Sequence, residues 1–130
     1  MKQMQSFHCL SQYFPELISS TQSWLSGEGF KCQKLQTDDG GTLLQIEKVG
    51  RWRKLVGMST ALNIVFHQVD NTTNVEIGAG RWIDKAATGT ISLFILWPLA
   101  VTTGIGAWQQ IKMPERIFGH IALFLSQVKL

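Results

Sequence analysis

Side chains suited to catalysis are few in this chain, and they stand apart. The three histidines, His8, His67 and His120, are far from one another, and no Ser, Cys or Glu near them completes a nucleophile or zinc motif. His8 adjoins Cys9, but neighbours in sequence seldom form a catalytic pair. His67 reads as a solvated side chain. Asp38 and Asp39 set two carboxylates together, yet the further oxygen ligands of a calcium loop are missing. Gly78-Ala79-Gly80 holds two glycines of a phosphate-cradling loop. The third is replaced by Ile83 and no βαβ unit surrounds it, so the pair reads as a tight bend. Sites can assemble from distant positions. Even so, the pattern points to a non-enzymatic protein with no catalytic, cofactor-binding or metal-ligating residues.

Charge offers a different kind of chemistry. Four of the twelve Lys and Arg residues fall between Lys48 and Lys54: Lys48, Arg51, Arg53 and Lys54, with Trp52 among them. Such a cluster serves as a solvated edge that discourages strand pairing. It equally serves as a docking patch for anionic headgroups, worth about 1 kcal/mol per basic residue near a charged membrane. Nucleic acid, with Trp52 stacked on a base, is a third reading. It ranks behind lipid because of what lies further along the chain.

That feature is the run from Ala86 to Ile111, which contains no Asp, Glu, Lys, Arg or His. Its length suffices for a bilayer core of roughly 30 Å, which about 20 apolar helical residues span. Trp82 and Trp108 lie near its ends, where amphipathic rings favour the membrane–water interface. The expected lipid contacts are Trp82, Ile91, Leu93, Phe94, Ile95, Leu96, Trp97, Leu99 and Trp108. Pro98 removes a helix hydrogen bond near the middle, so the run also reads as a helical hairpin bent there. A soluble domain could bury the two arms. Ala100, Gly104 and Ala107 have the small-residue spacing that permits close helix contact, within such a hairpin or in a homo-oligomer.

Composition sets the frame. At 130 residues, one domain covering 1–130 is expected, and the net charge of +3 favours anionic partners. The first residues lack the apolar core of a signal peptide, and Cys9 and Cys32 are too few for a disulfide framework. A cytoplasmic location follows as the expectation, either at a membrane face or free in solution. Asn71-Thr72-Thr73 then reads as a polar turn rather than a glycosylation acceptor.

The elements that must position these groups follow from periodicity. Residues 1–12 read as a loose lead-in. Phe14, Leu17, Ile18, Thr21, Trp24 and Leu25 form a helical stripe, opened by Pro15 and closed by Gly27 and Gly29. Strands are expected over Phe30–Gln36, Thr42–Val49, Met58–Val69 and from Thr73 to Ile77, with turns at Asp38–Gly41 and Asp70–Thr72. A second amphipathic helix starts at Pro114, with Ile117, Ile121, Phe124, Leu125 and Val128 on its apolar side. The expected fold is α+β: helix, four-stranded antiparallel meander in 13–85, uncharged helical segment in 86–111, and amphipathic helix in 114–130. The expected function is that of a small membrane-associated protein, anchored by the uncharged run and the basic patch. The alternative is a soluble binding protein with that run buried.

Overall fold

The computed structural model describes residues 3–48, 60–83, 90–91 and 111–128. In chain order these form β1 (Gln3–His8), a 3-10 turn (Ser11–Tyr13), α1 (Phe14–Gly27), β2 (Phe30–Thr37), β3 (Thr42–Lys48), β4 (Thr60–Val69), β5 (Thr72–Arg81), β6 (Thr90–Ile91) and α2 (Met113–Val128). The fold is α+β, with two helices and an antiparallel sheet of five strands in the order β1-β5-β4-β3-β2. β6 adds a two-residue parallel pair to the outer side of β2.

Tight turns fix the register of the meander. Between β2 and β3 the chain reverses at Gly40, whose φ of 89° suits a residue without a Cβ. Between β4 and β5 it reverses at Asp70, at φ 54°, a left-handed angle that Asp tolerates better than most residues. The pairings that result run Phe30 to Lys48, Ile46 to Leu62 and Thr60 to Arg81.

Two expectations about strands are corrected. Gln3–His8 is no loose lead-in but the fifth strand, antiparallel to β5 from Gln3–Ile77 to His8–Thr72. Its apolar residues, Met4 and Phe7, fall on opposite faces, so it has no alternation to read. Gly78 and Gly80 do not bend the chain either; both lie within β5. A Cβ on Gly80 would collide with the Asn63 amide, so glycine there lets a β4 side chain lie across the neighbouring strand.

Both helices pack on one face of the sheet. Leu17, Ile18 and Leu25 of α1 and Met113, Ile117 and Ile121 of α2 meet Leu44, Ile46, Leu62, Ile64, Phe66, Val75 and Ile77. Burying one such side chain is worth about 1.5–3 kcal/mol. The exposed Arg116–Glu28 ion pair between the helices contributes only about 0–1 kcal/mol, so apolar packing holds the layers together. Thr21 sits in this core without cost, since its hydroxyl donates to the Leu17 carbonyl at 2.8 Å.

Candidate functional site

The second face of the sheet buries polar side chains that strand alternation assigns to solvent. Gln33, Gln45, Asn63 and Gly78 are direct neighbours across β2, β3, β4 and β5. Gln45 is fully buried and Asn63 nearly so. The Gln33 amide donates to Gln45 Oε1 at 2.8 Å, and Gln45 donates in turn to Asn63 Oδ1 at 2.6 Å. The ladder then reaches the chain beyond β5. The Ile83 N–H donates to Gln45 Oε1 at 3.0 Å, while the Ile83 carbonyl accepts from Gln33 at 2.9 Å. Two side-chain amides thus grip one backbone unit immediately before the uncharged run.

Beside this clasp the same face holds a charged group. Lys31 Nζ lies 4.8 Å from the centre of the Trp82 ring and 3.9 Å from Glu47 Oε1. Trp82 is thereby half-buried against a cation, a contact worth about 0.5–1 kcal/mol at an exposed site. Leu35, Thr37, Leu43, Ala61 and Val65 are buried on the same face.

These groups lie toward one end of the sheet, where β2 and β4 begin and β3 and β5 finish. Lys48, the first residue of the basic cluster, ends β3 there, opposite Phe30. α2 begins at the same end, because Arg116 in its first turns pairs with Glu28 at the close of α1. Trp82–Ile83 and Ile111–Met113 therefore both stand toward this end, on opposite faces of the sheet. Ile111 itself packs against the core.

Of the residues singled out for membrane contact, the structure describes Trp82 and Ile91. Ile91 belongs to β6 and pairs with Thr37 at the opposite end of β2, so Thr90–Ile91 is extended where a helix was expected. Leu93, Phe94, Ile95, Leu96, Trp97, Leu99 and Trp108 lie outside the described residues, as do Pro98 and Arg51, Trp52, Arg53 and Lys54. No helix among the described residues is long and apolar enough to cross a membrane.

The histidines have partners that spacing did not reveal. His67 is not simply solvated: its Nε2 is 2.6 Å from Asp39 Oδ2. Asp39 also accepts from the Thr37 hydroxyl, and that hydroxyl in turn accepts from the Gly41 N–H at 2.8 Å. The Thr37 bond first, with the His67 contacts, holds the Asp39 carboxyl below its ordinary range. A side chain of β4 is in this way stapled to the β2–β3 turn. His120 stacks on Trp24 at 4.6 Å with rings nearly parallel, and its Nε2 is 3.2 Å from Ser20 Oγ. Burial between the helices pushes its pKa down. Cys32, half-buried beneath the end of α1, has its thiol pKa raised by burial, with the Ser26 hydrogen bond opposing.

Chemically, this inventory orients and fastens. His67 is held by a carboxylate on a turn. Ser20 and His120 touch across two helices, with the imidazole held flat on an indole. Among the described residues, no group of three or more His, Cys, Asp or Glu side chains gathers where a metal ion could sit. Compared with protein-family models, curated sequences and solved structures, the chain finds no significant match in any of the three.

Proposed function

We propose that this is a non-enzymatic protein of the cytoplasmic face of a membrane. Its α+β body docks at the sheet end where β3 finishes at Lys48 and where Trp82–Ile83 and the start of α2 stand. The observation that carries the reading is their convergence: Lys48, Trp82–Ile83 and the start of α2 share one end of the fold. A single straight crossing would leave the two flanks on opposite sides of a bilayer. Flanks that both pack on the one body instead suit a segment that enters lipid and returns. The Gln33–Gln45 clasp on Ile83 gives that segment a rigid root.

The test is flotation of the full chain with vesicles, neutral or containing an anionic phospholipid. The chain floats with both kinds and more strongly with anionic ones. Arg51→Gln/Arg53→Gln removes about 2 kcal/mol of headgroup attraction, roughly a thirtyfold loss of the anionic preference. Recovery of untagged protein wholly in the soluble fraction at low salt, with no flotation, sinks the proposal.

One observation favours the soluble alternative. Leu43 and Val65 on the second face are fully buried, and Thr90–Ile91 pairs with β2. An uncharged run held against the protein's own sheet gives a monodisperse, detergent-free binding protein that ignores vesicles. The same flotation experiment decides between the two.

A further inference from the structure

Among the described residues, the outer side of β1 is an open strand edge of an unusual kind. The Cys9 N–H donates to the Asn71 carbonyl at 2.9 Å, continuing the β1–β5 register by one residue. Backbone direction alternates along an antiparallel pair, so Gln3, Gln5 and Phe7 turn their N–H and C=O groups toward β5. Met4, Ser6 and His8 turn theirs away, and nothing among the described residues pairs with them. Natural sheets blunt such edges with lysine, proline or a bulge. β2, at the other side, carries exposed Lys31 and Lys34 and is partly covered by β6. β1 carries no Lys, Arg, Asp, Glu or Pro, and Met4 is 64% exposed.

We propose that β1 pairs with β1 of a second copy of this chain, antiparallel about a two-fold axis at Ser6, joining the two sheets into one. The symmetry selects this occupant and this register. A two-fold axis perpendicular to a sheet keeps each residue on its own face, so residues of like parity must face each other. Centring on Ser6 sets it against itself, with Met4 against His8 of the other copy. All three outward-turned residues then find partners, giving about six inter-strand hydrogen bonds. A centre one residue earlier, at Gln5, sets His8 against Lys2 of the other copy, two basic side chains face to face. The side chains agree. The self-facing residue is small and neutral, no like charges meet, and Met4 gains an imidazole beside its thioether. On the helix side, Gln5 of one copy lies along Phe7 of the other, which already packs on Phe118.

The interface is tested on the full chain, in detergent where extraction requires it, by light scattering and by cysteine cross-linking. The wild type runs as a dimer. Ser6→Lys sets two ammonium groups face to face at an exposed position, and it yields a monomer whose thermal melt retains its cooperativity. Ser6→Cys cross-links on mild oxidation, since residues facing in a hydrogen-bonded pair have Cα atoms about 5.5 Å apart. Met4→Cys does not, because its two copies stand about 15 Å apart in this register. A monomeric wild type, a dimer that survives Ser6→Lys, or equal cross-linking at positions 4 and 6 would each overturn the proposal. None of these readouts depends on lipid, so they stand apart from the flotation result.

Discussion

Replacing Gln45 with leucine, nearly its equal in volume, tests whether the amide ladder holds the second face together. In the wild type Gln45 accepts from Gln33 and from the Ile83 N–H, and it donates to Asn63. Gln45→Leu removes the donor for a buried Asn63 oxygen and the acceptor for a half-buried Ile83 N–H. Gln33 still reaches the Ile83 carbonyl. A stranded buried polar group costs about 1–3 kcal/mol, and Ile83 belongs at the low end, so the variant loses about 2–4 kcal/mol. Asn63→Leu removes the acceptor that the Gln45 amide donates to and loses about 1–3 kcal/mol. The double variant carries neither of those two penalties, so its loss falls short of the sum by about 2–6 kcal/mol. Urea denaturation reads these differences: with a slope of about 2 kcal/mol/M, Gln45→Leu moves the midpoint down by about 1–2 M. Hydrogen exchange adds a local readout, the Ile83 amide exchanging faster once its acceptor is gone. Strict additivity of the two substitutions, or a Gln45→Leu midpoint unchanged from wild type, would show that the ladder carries no such load.

Three further outcomes are expected elsewhere. Gly41→Ala places a Cβ 2.7 Å from the His67 ring and 2.8 Å from the Thr37 hydroxyl; it costs about 1–3 kcal/mol, seen as a lower Tm. A Tm within a degree of wild type would mean the turn is not stapled to β4. His120 is held neutral by burial, its pKa lowered below the unfolded value of about 6.5. The unfolded chain therefore binds its proton first, and stability present above that pH is lost as pH falls toward the folded pKa. His120→Phe keeps a ring on Trp24 and flattens that acid limb of the stability–pH curve; an unchanged limb assigns it to another group. Cys32, its thiol pKa raised by burial, reacts with iodoacetamide at mildly alkaline pH at least several-fold more slowly than in the unfolded chain, as intact mass reports. Equal rates would contradict its shielding.

The meander was readable because its turns are written locally. Asp38-Asp39-Gly40-Gly41 and Asp70-Asn71 reverse the chain where the structure reverses it, and the even residues of β4 face the helices as alternation requires. Both helices were readable from their stripes. β1 was not: an edge strand with polar residues on both faces has no periodicity, and what makes it a strand is β5, far away in sequence. The polar partners of the candidate site were hidden for a related reason. Gln33, Gln45 and Asn63 looked like the solvent side of alternating strands, and His67 like an exposed base. Hairpin register alone could have placed the three amides in one row; their burial is a property of the assembled fold. The basic residues from Arg51 to Lys54 lie outside the described residues.

The amides also solve a problem that the apolar residues create. β3 reads Leu43, Leu44, Ile46 and β4 reads Ala61, Leu62, Ile64, Val65, Phe66, so both faces of both strands are apolar. Alternation, which ordinarily fixes the face a strand buries, is weak when either face would serve. A slip of one residue would still set hydrophobic side chains under α1 and α2. It would also turn Gln45 and Asn63 into that helix-covered core, away from Gln33 and Ile83, at about 1–3 kcal/mol for each unsatisfied group. Two buried polar residues therefore choose the face where the apolar ones cannot. The choice extends past the sheet, because Gln45 together with Gln33 grips Ile83, three residues before the uncharged run.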